Sequence, residues 1–326
     1  MHEAQPRLRW NRIQTAARTI DPVFTRSPQF VCEPLSEALG VRTAIKVESL
    51  NPIRSFKGRG ADFFVSQRVD DAPLMCASAG NFGQAMAYAC RARGVPLTVY
   101  ASTNANPLKI RRMRAMGAEV VLHGEDFDAA KLEAKRVAEQ RGVRFVEDGL
   151  DVETVEGAGT MGLEWLDFPE PLDALLVALG NGAMFNGVAT VLDARSPRTR
   201  MVAVQAAGAP AMIESWRTGA PVEHASVDTI ADGIGVRIPV RQALHDMRDL
   251  VDDAVLVSED AIIEAMRLVH RHAGVVIEPS GAVGVAALLE EPERFRGGTV
   301  GTILCGGNLT EAQTRDWLGA SSTFVS

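Results

Sequence analysis

Lysine residues could carry covalent chemistry in this chain, and they are few. Of its 34 basic residues only five are lysines. They are Lys46, Lys57, Lys109, Lys131 and Lys135. A lysine amine can form a Schiff base, whereas an arginine stays protonated. Lys57 lies between Phe56 and Gly58, where a flat ligand could approach the backbone, although it could also be a solvated lysine at a helix start. Lys109, Lys131 and Lys135 are predicted to lie on polar helix faces.

Three further segments combine small residues with a polar or nucleophilic side chain. We name them the Asn81 loop (Ser78, Ala79, Gly80, Asn81), the Asn181 loop (Gly180, Asn181, Gly182, Ala183) and the Cys305 loop (Cys305, Gly306, Gly307, Asn308). A small-residue loop that opens a helix can direct several N–H groups at a phosphate. The Asn181 loop has this character, but it fits neither the dinucleotide-binding motif nor the P-loop. From spacing alone it could equally be a tight turn, Asn81 only a helix cap and Cys305 only a buried core residue.

Short apolar, β-branched runs recur along the chain, with helical patterns between them. These runs predict strands at residues 44–48, 97–100, 119–122, 144–146, 174–179, 201–204, 254–257, 275–277 and 300–304. Residues 127–140 have helical periodicity, and Ser258 is a predicted N-cap. Alternating strands and helices predict an α/β protein with mostly parallel sheets. Ligands bind at the carboxyl ends of strands in such sheets, where the three loops and the Lys57 segment fall.

Composition and charge argue against several classes of protein. Hydrophobic residues make up 46% of the chain and charged residues 23%, which is ordinary for a globular enzyme. The net charge is −7 and no basic stripe is present, so we expect no nucleic-acid partner. No apolar run approaches the roughly 18–20 residues of a membrane span, and no signal peptide is evident, so we expect a cytoplasmic protein without a membrane partner. The four scattered cysteines predict neither a metal site nor disulfides.

Taken together, the motifs and their order make the chain resemble the fold type II pyridoxal-phosphate enzymes. The resemblance is to the branch that contains the serine/threonine dehydratases (threonine ammonia-lyases) and serine racemase. The motifs are SFKGRGA, SAGNFGQ, the Asn181 loop, TIADGI (229–234), IEPSGA (277–282) and CGGN. The resemblance covers nearly the whole chain. It implies a tryptophan synthase β-like α/β fold with two open, mostly parallel sheets and helices on both faces. It also implies a large cofactor-binding domain (1–69 and 156–326), a small inserted domain (70–155) and no C-terminal regulatory domain.

The resemblance further implies pyridoxal 5′-phosphate as the cofactor and a role for each matching residue. Lys57 would bind the cofactor covalently and later move the Cα proton, with Phe56 packed beside it. Asn81 would hydrogen-bond the pyridoxal 3′-oxygen, and Cys305 would face the pyridine nitrogen. Gly233 would approach the ring face and Glu278 would lie near the ring. The phosphate would bind to Gly180, Asn181, Gly182 and Ala183, and the substrate carboxylate to Ser78, Ala79, Gly80 and Asn81.

The expected activity is that of a dehydratase or ammonia-lyase, because a neutral thiol opposite the pyridine nitrogen favours elimination. The substrate would be serine, threonine or a related β-hydroxy amino acid, and the products a 2-oxo acid and ammonia. An amino-acid racemase, or elimination from another β-substituted amino acid, is the alternative. A non-catalytic paralogue is disfavoured because Lys57, Asn81 and Cys305 are all retained. We expect a homodimer that acts on a small-molecule substrate.

The chain departs from the family pattern at several positions. Asn181 and Ala183 replace two of four usual glycines, and alanine tolerates a left-handed backbone poorly, so we expect a shifted phosphate cradle. Phe82 stands where histidine is common, and Ala79 stands where the racemase loop has serine. The two carboxylates that bind a divalent cation in the racemase branch are missing, because the matching stretch runs from Gln205 to Ala211. We therefore expect no metal site.

Overall fold

The computed structural model describes residues 7–319 of the chain, and this part contains ten strands and thirteen α-helices. The strands are Gln29–Val31 (β1), Arg42–Val47 (β2), Leu74–Ala77 (β3), Leu97–Ala101 (β4), Glu119–Leu122 (β5), Arg144–Val146 (β6), Ala174–Ala178 (β7), Arg200–Ala206 (β8), Asp253–Val257 (β9) and Thr299–Leu304 (β10). The helices are Trp10–Thr19 (α1), Glu33–Leu39 (α2), Lys57–Ser66 (α3), Asn81–Arg93 (α4), Pro107–Ala115 (α5), Phe127–Arg141 (α6), Val152–Leu166 (α7), Ala183–Arg195 (α8), Ala211–Thr218 (α9), Arg241–Met247 (α10), Glu259–Ala273 (α11), Pro279–Glu290 (α12) and Glu311–Leu318 (α13). No helix within residues 7–319 is long and apolar enough to cross a membrane.

The strands form two sheets. The larger has six strands in the order β1-β2-β10-β7-β8-β9, and the smaller has four in the order β5-β4-β3-β6. Neighbouring strands are parallel except for β1, which pairs antiparallel with β2. The predicted α/β fold with mostly parallel sheets is confirmed. The strands of the smaller sheet fall between residues 74 and 146, and those of the larger come before and after them. The proposed domain boundaries at residues 70 and 155 stay a prediction.

Glycines set the spacing of the helices that carry two of the predicted site segments. Helix α7 packs between α3, which begins with Lys57, and α8, which follows the Asn181 loop. A Cβ atom on Gly60 of α3 would lie 2.4 Å from the carbonyl oxygen of Thr154. A Cβ atom on Gly187 of α8 would lie 2.3 Å from the carbonyl oxygen of Val155. Real side chains do not approach backbone so closely, so these glycines let α3 and α8 pack tightly against α7 and fix Lys57 relative to the Asn181 loop.

Most strand and helix predictions agree with the structure. Helix α6 buries the predicted face of Ala130, Ala134 and Val137, and Ser258 caps α11 by accepting from the Ala261 N–H at 3.2 Å. The strand predicted at 275–277 is wrong. Gly274 takes a left-handed φ of +66° that ends α11, and the chain then runs to α12 without pairing with another strand. Ile277 is buried there by packing outside any strand, and a short apolar, β-branched run does not distinguish such a segment from a strand.

Two strands have no counterpart among the predictions. Strand β1 is a three-residue edge strand that pairs with β2, and it is too short to show an alternating pattern. Strand β3 is fully buried and central to the smaller sheet, but its sequence is Leu-Met-Cys-Ala. That sequence contains no β-branched or aromatic residue, so propensity does not distinguish it from a loop or a helix end. The missing prediction matters because β3 carries the Asn81 loop at its carboxyl end.

Candidate active site

Backbone hydrogen bonds tie the Lys57 segment to the Cys305 loop. Strands β2 and β10 are neighbours in the larger sheet, so the segments that follow them leave the same edge. The Phe56 N–H donates to the carbonyl of Cys305 at 3.0 Å, and the Gly307 N–H donates to the carbonyl of Arg54 at 3.0 Å. The Lys57 ammonium lies 4.6 Å from the centre of the Phe56 ring. The predicted amine and the predicted thiol are thus held at one edge of the sheet.

The Lys57 side chain ends on Asp148, which the sequence analysis did not identify. Lys57 Nζ forms an ion pair with Asp148 Oδ2, and the two side chains are 14% and 12% exposed. Asn181 Nδ2 donates to the same carboxylate oxygen at 2.5 Å and to the carbonyl of Asp148 at 3.0 Å. Asp148 therefore links the candidate Schiff-base lysine to the Asn181 loop.

Asn81 belongs to a buried polar network and does not cap its own helix. Gly80 is the N-cap of α4, and Asn81 Nδ2 donates to Glu278 Oε1 at 2.6 Å. Asn308 Nδ2 donates to Asn81 Oδ1 at 2.8 Å, and the Asn308 N–H donates to Glu278 Oε2 at 3.2 Å. Burial raises the pKa of Glu278, while the charge of Lys109 opposes that rise. The network joins the Asn81 loop, the Cys305 loop and the start of α12.

Gly233 and Gly180 lie side by side, and Ser280 faces Gly233. A Cβ atom on Gly180 would lie 3.1 Å from the carbonyl oxygen of Gly233, and one on Gly233 would lie 2.7 Å from Ser280 Oγ. Ser280 is buried, and its hydroxyl has no hydrogen-bond partner among the described residues. A buried hydroxyl without a partner is costly, so this atom is available to a ligand. Ser280 belongs to the same IEPSGA motif as Glu278, so it is a further candidate for the site.

The Asn181 loop needs a left-handed backbone at only one position. Gly182 has a φ of +92°, whereas Asn181 and Ala183 do not have positive φ values. Ala183 is the first residue of α8, and its N–H donates to Asn181 Oδ1 at 3.2 Å. The two replaced glycines therefore lie where ordinary residues fit. The predicted shift of the phosphate cradle relative to the glycine loop of the family stays a prediction.

The Asn81 loop joins the other segments through Asn81. The Ser78 N–H donates to the carbonyl of Tyr100 at 2.9 Å, and the Gly80 N–H donates to Ser78 Oγ at 3.1 Å. A Cβ atom on Gly80 would meet no atom within 4 Å, so the loop has open space beside it. Ala79 is half-buried and offers no polar atom in its side chain.

The prediction that Lys109 lies on a polar helix face is wrong. Lys109 is 4% exposed, and its Nζ lies 2.8 Å from Asp232 Oδ2. Burial lowers the pKa of Lys109, but the charges of Asp232 and Glu278 outweigh burial and raise that pKa overall. The raised pKa makes the Lys109 amine a poorer nucleophile than that of an ordinary lysine, so burial does not make Lys109 a rival to Lys57. Lys131 and Lys135 both pair with Glu147.

Cys305 is buried, and its thiol stays neutral. Burial raises the pKa of this thiol above its ordinary value, and the charge of Glu278 raises it further. The nearby Lys57 opposes the rise without reversing it. The structure thus brings together Lys57, Phe56, Asn81, Glu278, Gly233, Cys305 and the Asn181 loop.

These residues fit pyridoxal 5′-phosphate. Lys57 supplies an amine for the aldehyde, beside an aromatic ring. The Asn181 loop opens an α-helix of 13 residues with no acidic residue in its first turn, which suits a phosphate group. The unpartnered Ser280 hydroxyl and the neutral thiol of Cys305 provide polar atoms for a heteroaromatic ring.

Known proteins resemble this chain over most of its length. The family described as "Pyridoxal-phosphate dependent enzyme" matches residues 20–306. An L-threonine ammonia-lyase of Thermotoga maritima is 34% identical over 300 residues, covering 91% of this chain and 75% of that protein. An L-threo-3-hydroxyaspartate ammonia-lyase of a Pseudomonas species is 33% identical over 298 residues, covering 90% and 93% of the two chains. The structure of maize serine racemase superposes with a TM-score of 0.88 at 27% identity, covering 95% of this chain and 96% of that one.

The fold and the match of the family model define the class: the chain belongs to the pyridoxal-phosphate dependent enzymes, and its fold is fold type II. Its cofactor is pyridoxal 5′-phosphate.

Proposed function

We propose that this protein is a dehydratase, or ammonia-lyase, that eliminates the β-hydroxyl group of serine, threonine or a related β-hydroxy amino acid. The products would be a 2-oxo acid and ammonia. The observation that carries the proposal is the position of Lys57, whose amine lies between the Asn181 loop and the Cys305 loop. The two ammonia-lyases, which match 91% and 90% of this chain, support the reaction type.

When bound, pyridoxal 5′-phosphate supplies an aldehyde that condenses with amines and a conjugated ring that withdraws electrons from the substrate Cα. The N–H groups of the Asn181 loop would hold the phosphate at the start of α8, and those of the Asn81 loop would hold the substrate carboxylate. Lys57 Nζ would take the proton from Cα. The β C–O bond then breaks, and the β-hydroxyl leaves as water with one proton, which balances the proton taken from Cα. The enamine that is released becomes an imine, and its hydrolysis takes up one water and gives the 2-oxo acid and ammonia.

Two residues favour elimination over the other reactions of this fold. The buried thiol of Cys305 is neutral, so it cannot stabilise a protonated pyridine nitrogen as a carboxylate would. Negative charge on Cα is then short-lived, which favours prompt loss of the β-substituent. Ala79 has no proton to give, whereas racemisation needs an acid on the side of the substrate opposite the lysine. The likeness to maize serine racemase makes a racemase the second candidate.

A substrate screen tests the proposed function. The purified protein, loaded with cofactor, is incubated with serine, threonine and 3-hydroxyaspartate, and the 2-oxo acid, ammonia and D-amino acid formed are all measured. We expect equal amounts of 2-oxo acid and ammonia from at least one substrate, and negligible D-amino acid. Rapid conversion of L-serine to D-serine without 2-oxo acid would instead identify a racemase.

Substitution of Lys57 tests the role of its amine. Lys57→Ala should abolish 2-oxo acid formation and the visible absorption of the protein-bound cofactor, because Lys57 is the lysine within residues 7–319 that pairs with Asp148 beside the Asn181 loop, whereas the raised pKa of Lys109 makes it a poor nucleophile. Lys131→Ala is the matched control, since Lys131 pairs with Glu147 and should keep both properties. A Lys57→Ala protein with normal absorption and turnover would show that the assignment is wrong.

We further propose that the protein works in the cytoplasm as a homodimer. All four cysteines are buried free thiols, which suits a reducing compartment. Leu50 is 66% exposed and Val276 is 37% exposed. A Cβ atom on Gly307 would lie 2.7 Å from the carbonyl oxygen of Val276 and 3.1 Å from the side chain of Ser49, so both apolar residues lie near the Cys305 loop. Exposed apolar side chains near the site support an interface with a second copy. Sedimentation equilibrium of the cofactor-loaded protein measures the assembly.

A further inference from the structure

Asp148 lies level with the Asn81 loop at the edge of the smaller sheet. Strands β3 and β6 are parallel neighbours, and Cys76 pairs with Val146 in their register. Ser78 and Asp148 each come two residues after these paired positions, so they leave the sheet side by side. Asp148 therefore stands where three segments meet: the Asn81 loop, the Asn181 loop and the start of α3 with Lys57.

The Asp148 carboxylate is held in place without the help of Lys57. Asn181 Nδ2 donates both to the carboxylate and to the backbone carbonyl of Asp148, so one amide group fixes the side chain and the main chain together. Gly149 has a φ of +81°, and a Cβ atom there would lie 2.9 Å from the carbonyl oxygen of Asn181. The segment after β6 is thus pressed against the Asn181 loop, and the carboxylate is preorganised as an acceptor.

Lys57 is the ion-pair partner of this carboxylate within residues 7–319. The other four lysines are engaged elsewhere: Lys46 with Glu164, Lys109 with Asp232, and Lys131 and Lys135 with Glu147. In the reaction proposed above, Lys57 Nζ would act as the base toward the substrate Cα, and in the structure the same atom pairs with Asp148 Oδ2.

We infer that Asp148 is a positioning residue that holds the free Lys57 amine during proton transfer, an inference that rests on the proposed function. As the Cα–H bond breaks, an N–H bond forms on Lys57 Nζ and the electron pair stays on the substrate. The new ammonium charge is balanced by Asp148, which neither gains nor loses a proton. A carboxylate that orients a base and stabilises the cation it becomes has the same role beside the histidine of serine proteases.

This inference also gives Asn181 a purpose. The family pattern has glycine at this position, and a glycine has no side chain with which to hold Asp148. In this chain the Asn181 amide bridges the loop to the carboxylate. The asparagine that replaces the usual glycine at position 181 therefore binds the same carboxylate that pairs with Lys57.

The test follows exchange of the Cα proton of L-alanine with deuterium from solvent, measured by NMR on the cofactor-loaded protein. L-Alanine has no leaving group, so the assay reports proton transfer at Lys57 whatever the natural substrate is. Asp148→Asn is nearly isosteric and neutral. We expect exchange to slow about 30-fold, which corresponds to about 2 kcal/mol of transition-state stabilisation. The dissociation constants of cofactor and L-alanine should change less than about threefold, because Asp148 acts through Lys57.

A second measurement uses the protein without cofactor. The Lys57 amine is acetylated by a small neutral reagent and the rate is read by mass spectrometry, with a lysine-containing peptide added to the mixture as reference. Loss of the ion pair should speed acetylation of Lys57 several-fold in Asp148→Asn. Glu147→Gln is the matched control, because it removes the neighbouring carboxylate, which binds Lys131 and Lys135 and not Lys57. It should leave both the exchange rate and the acetylation rate of Lys57 unchanged.

Asp148→Glu keeps the charge and should recover part of the lost exchange. Equal exchange rates in the wild type and Asp148→Asn would overturn the inference, as would equal losses in the Asn and Glu variants. A loss of exchange that only follows a weakened cofactor affinity would also overturn it, because the role would then be structural. If no β-hydroxy amino acid yields a 2-oxo acid, the proposed lyase function fails, but alanine exchange and lysine acetylation still test Asp148.

Discussion

Gly80 offers a test of where the substrate carboxylate binds. One methyl group added there should hardly change the stability of the protein but should clearly weaken substrate binding. A Cβ atom on Gly80 would meet no heavy atom within 4 Å. Its φ of −125° lies outside the left-handed region that only glycine adopts easily. Gly80→Ala should therefore change the free energy of unfolding by less than about 1 kcal/mol, because it introduces neither a clash nor a left-handed alanine.

The open space beside Gly80 is also where the proposed carboxylate would approach the N–H groups of the Asn81 loop. A methyl group there would hold the carboxylate away from those donors. Hydrogen bonds to a charged group contribute about 1.5–3 kcal/mol each, so the loss of one weakens binding roughly tenfold or more. We expect the dissociation constant of L-alanine, measured by spectral titration of the loaded protein, to rise by at least that factor while the melting temperature stays within a few degrees.

Gly306→Ala is the contrasting variant. Its Cβ would lie 2.2 Å from Glu278 Oε1 and 3.2 Å from Asn81 Nδ2, so the buried network must move to accept it. We expect this variant to lose stability and cofactor affinity together. If Gly80→Ala binds L-alanine as tightly as the wild type, the carboxylate does not bind at this loop. If Gly80→Ala unfolds the protein, the space beside Gly80 is not open.

Two other predictions concern buried ionisable groups. Cys305→Ser keeps a neutral group and should leave the cofactor absorption spectrum and turnover near those of the wild type. Cys305→Asp adds a carboxylate beside buried Glu278 and should give a long-wavelength absorption band with substrate and slower elimination. If Cys305→Asp folds and keeps the wild-type spectra and rate, Cys305 does not belong to the site. Burial raises the pKa of Glu156 from 4.5 to about 7, against the opposing charge of Arg12. The folded state thus favours the neutral acid, so the stability this provides is complete below pH 4.5 and is lost as the pH rises through 7. The loss is at most about 3 kcal/mol, and Glu156→Gln should flatten the fall in unfolding free energy between pH 5 and pH 8 in urea denaturation. Equal pH slopes for the two proteins would contradict this account of Glu156.

Local sequence predicted much of the fold and several parts of the site. Apolar runs located eight strands, and the rule that ligands bind at strand ends directed attention to the loops that carry Lys57, Asn181 and Cys305. The roles of those loops came from the resemblance to a family, because each loop alone also fits a turn, a cap or a core residue. Their convergence depends on backbone hydrogen bonds such as that from Phe56 to Cys305, which no local pattern contains.

Lys109 shows why local periodicity failed at a charged residue. Its position on α5 suggested a solvated face, yet its partner Asp232 comes from a segment 123 residues later in the chain. Buried charges are stable when they are paired, and the pairing here is set by the tertiary fold. The same reasoning applies to Glu278, whose partners Asn81 and Asn308 come from distant loops. Burial of such residues is therefore not readable from hydrophobic patterning.

The sequence did not identify Asp148 as a site residue, although it predicted strand β6 and although ligands bind at the carboxyl ends of strands. The residue follows that strand by two positions, but nothing in the local sequence says that β6 lies beside β3. Only this neighbour relation brings Asp148 to the Asn81 loop, and only the packing of α7 against α3 and α8 brings Lys57 and Asn181 to it. The sequence predicts where strand β6 ends, but only the order of the strands places the Asp148 carboxylate beside the Asn81 loop. Asn181 was the one accessible signal, since an amide in place of a glycine needs a partner. That partner is the carboxylate that receives the lysine.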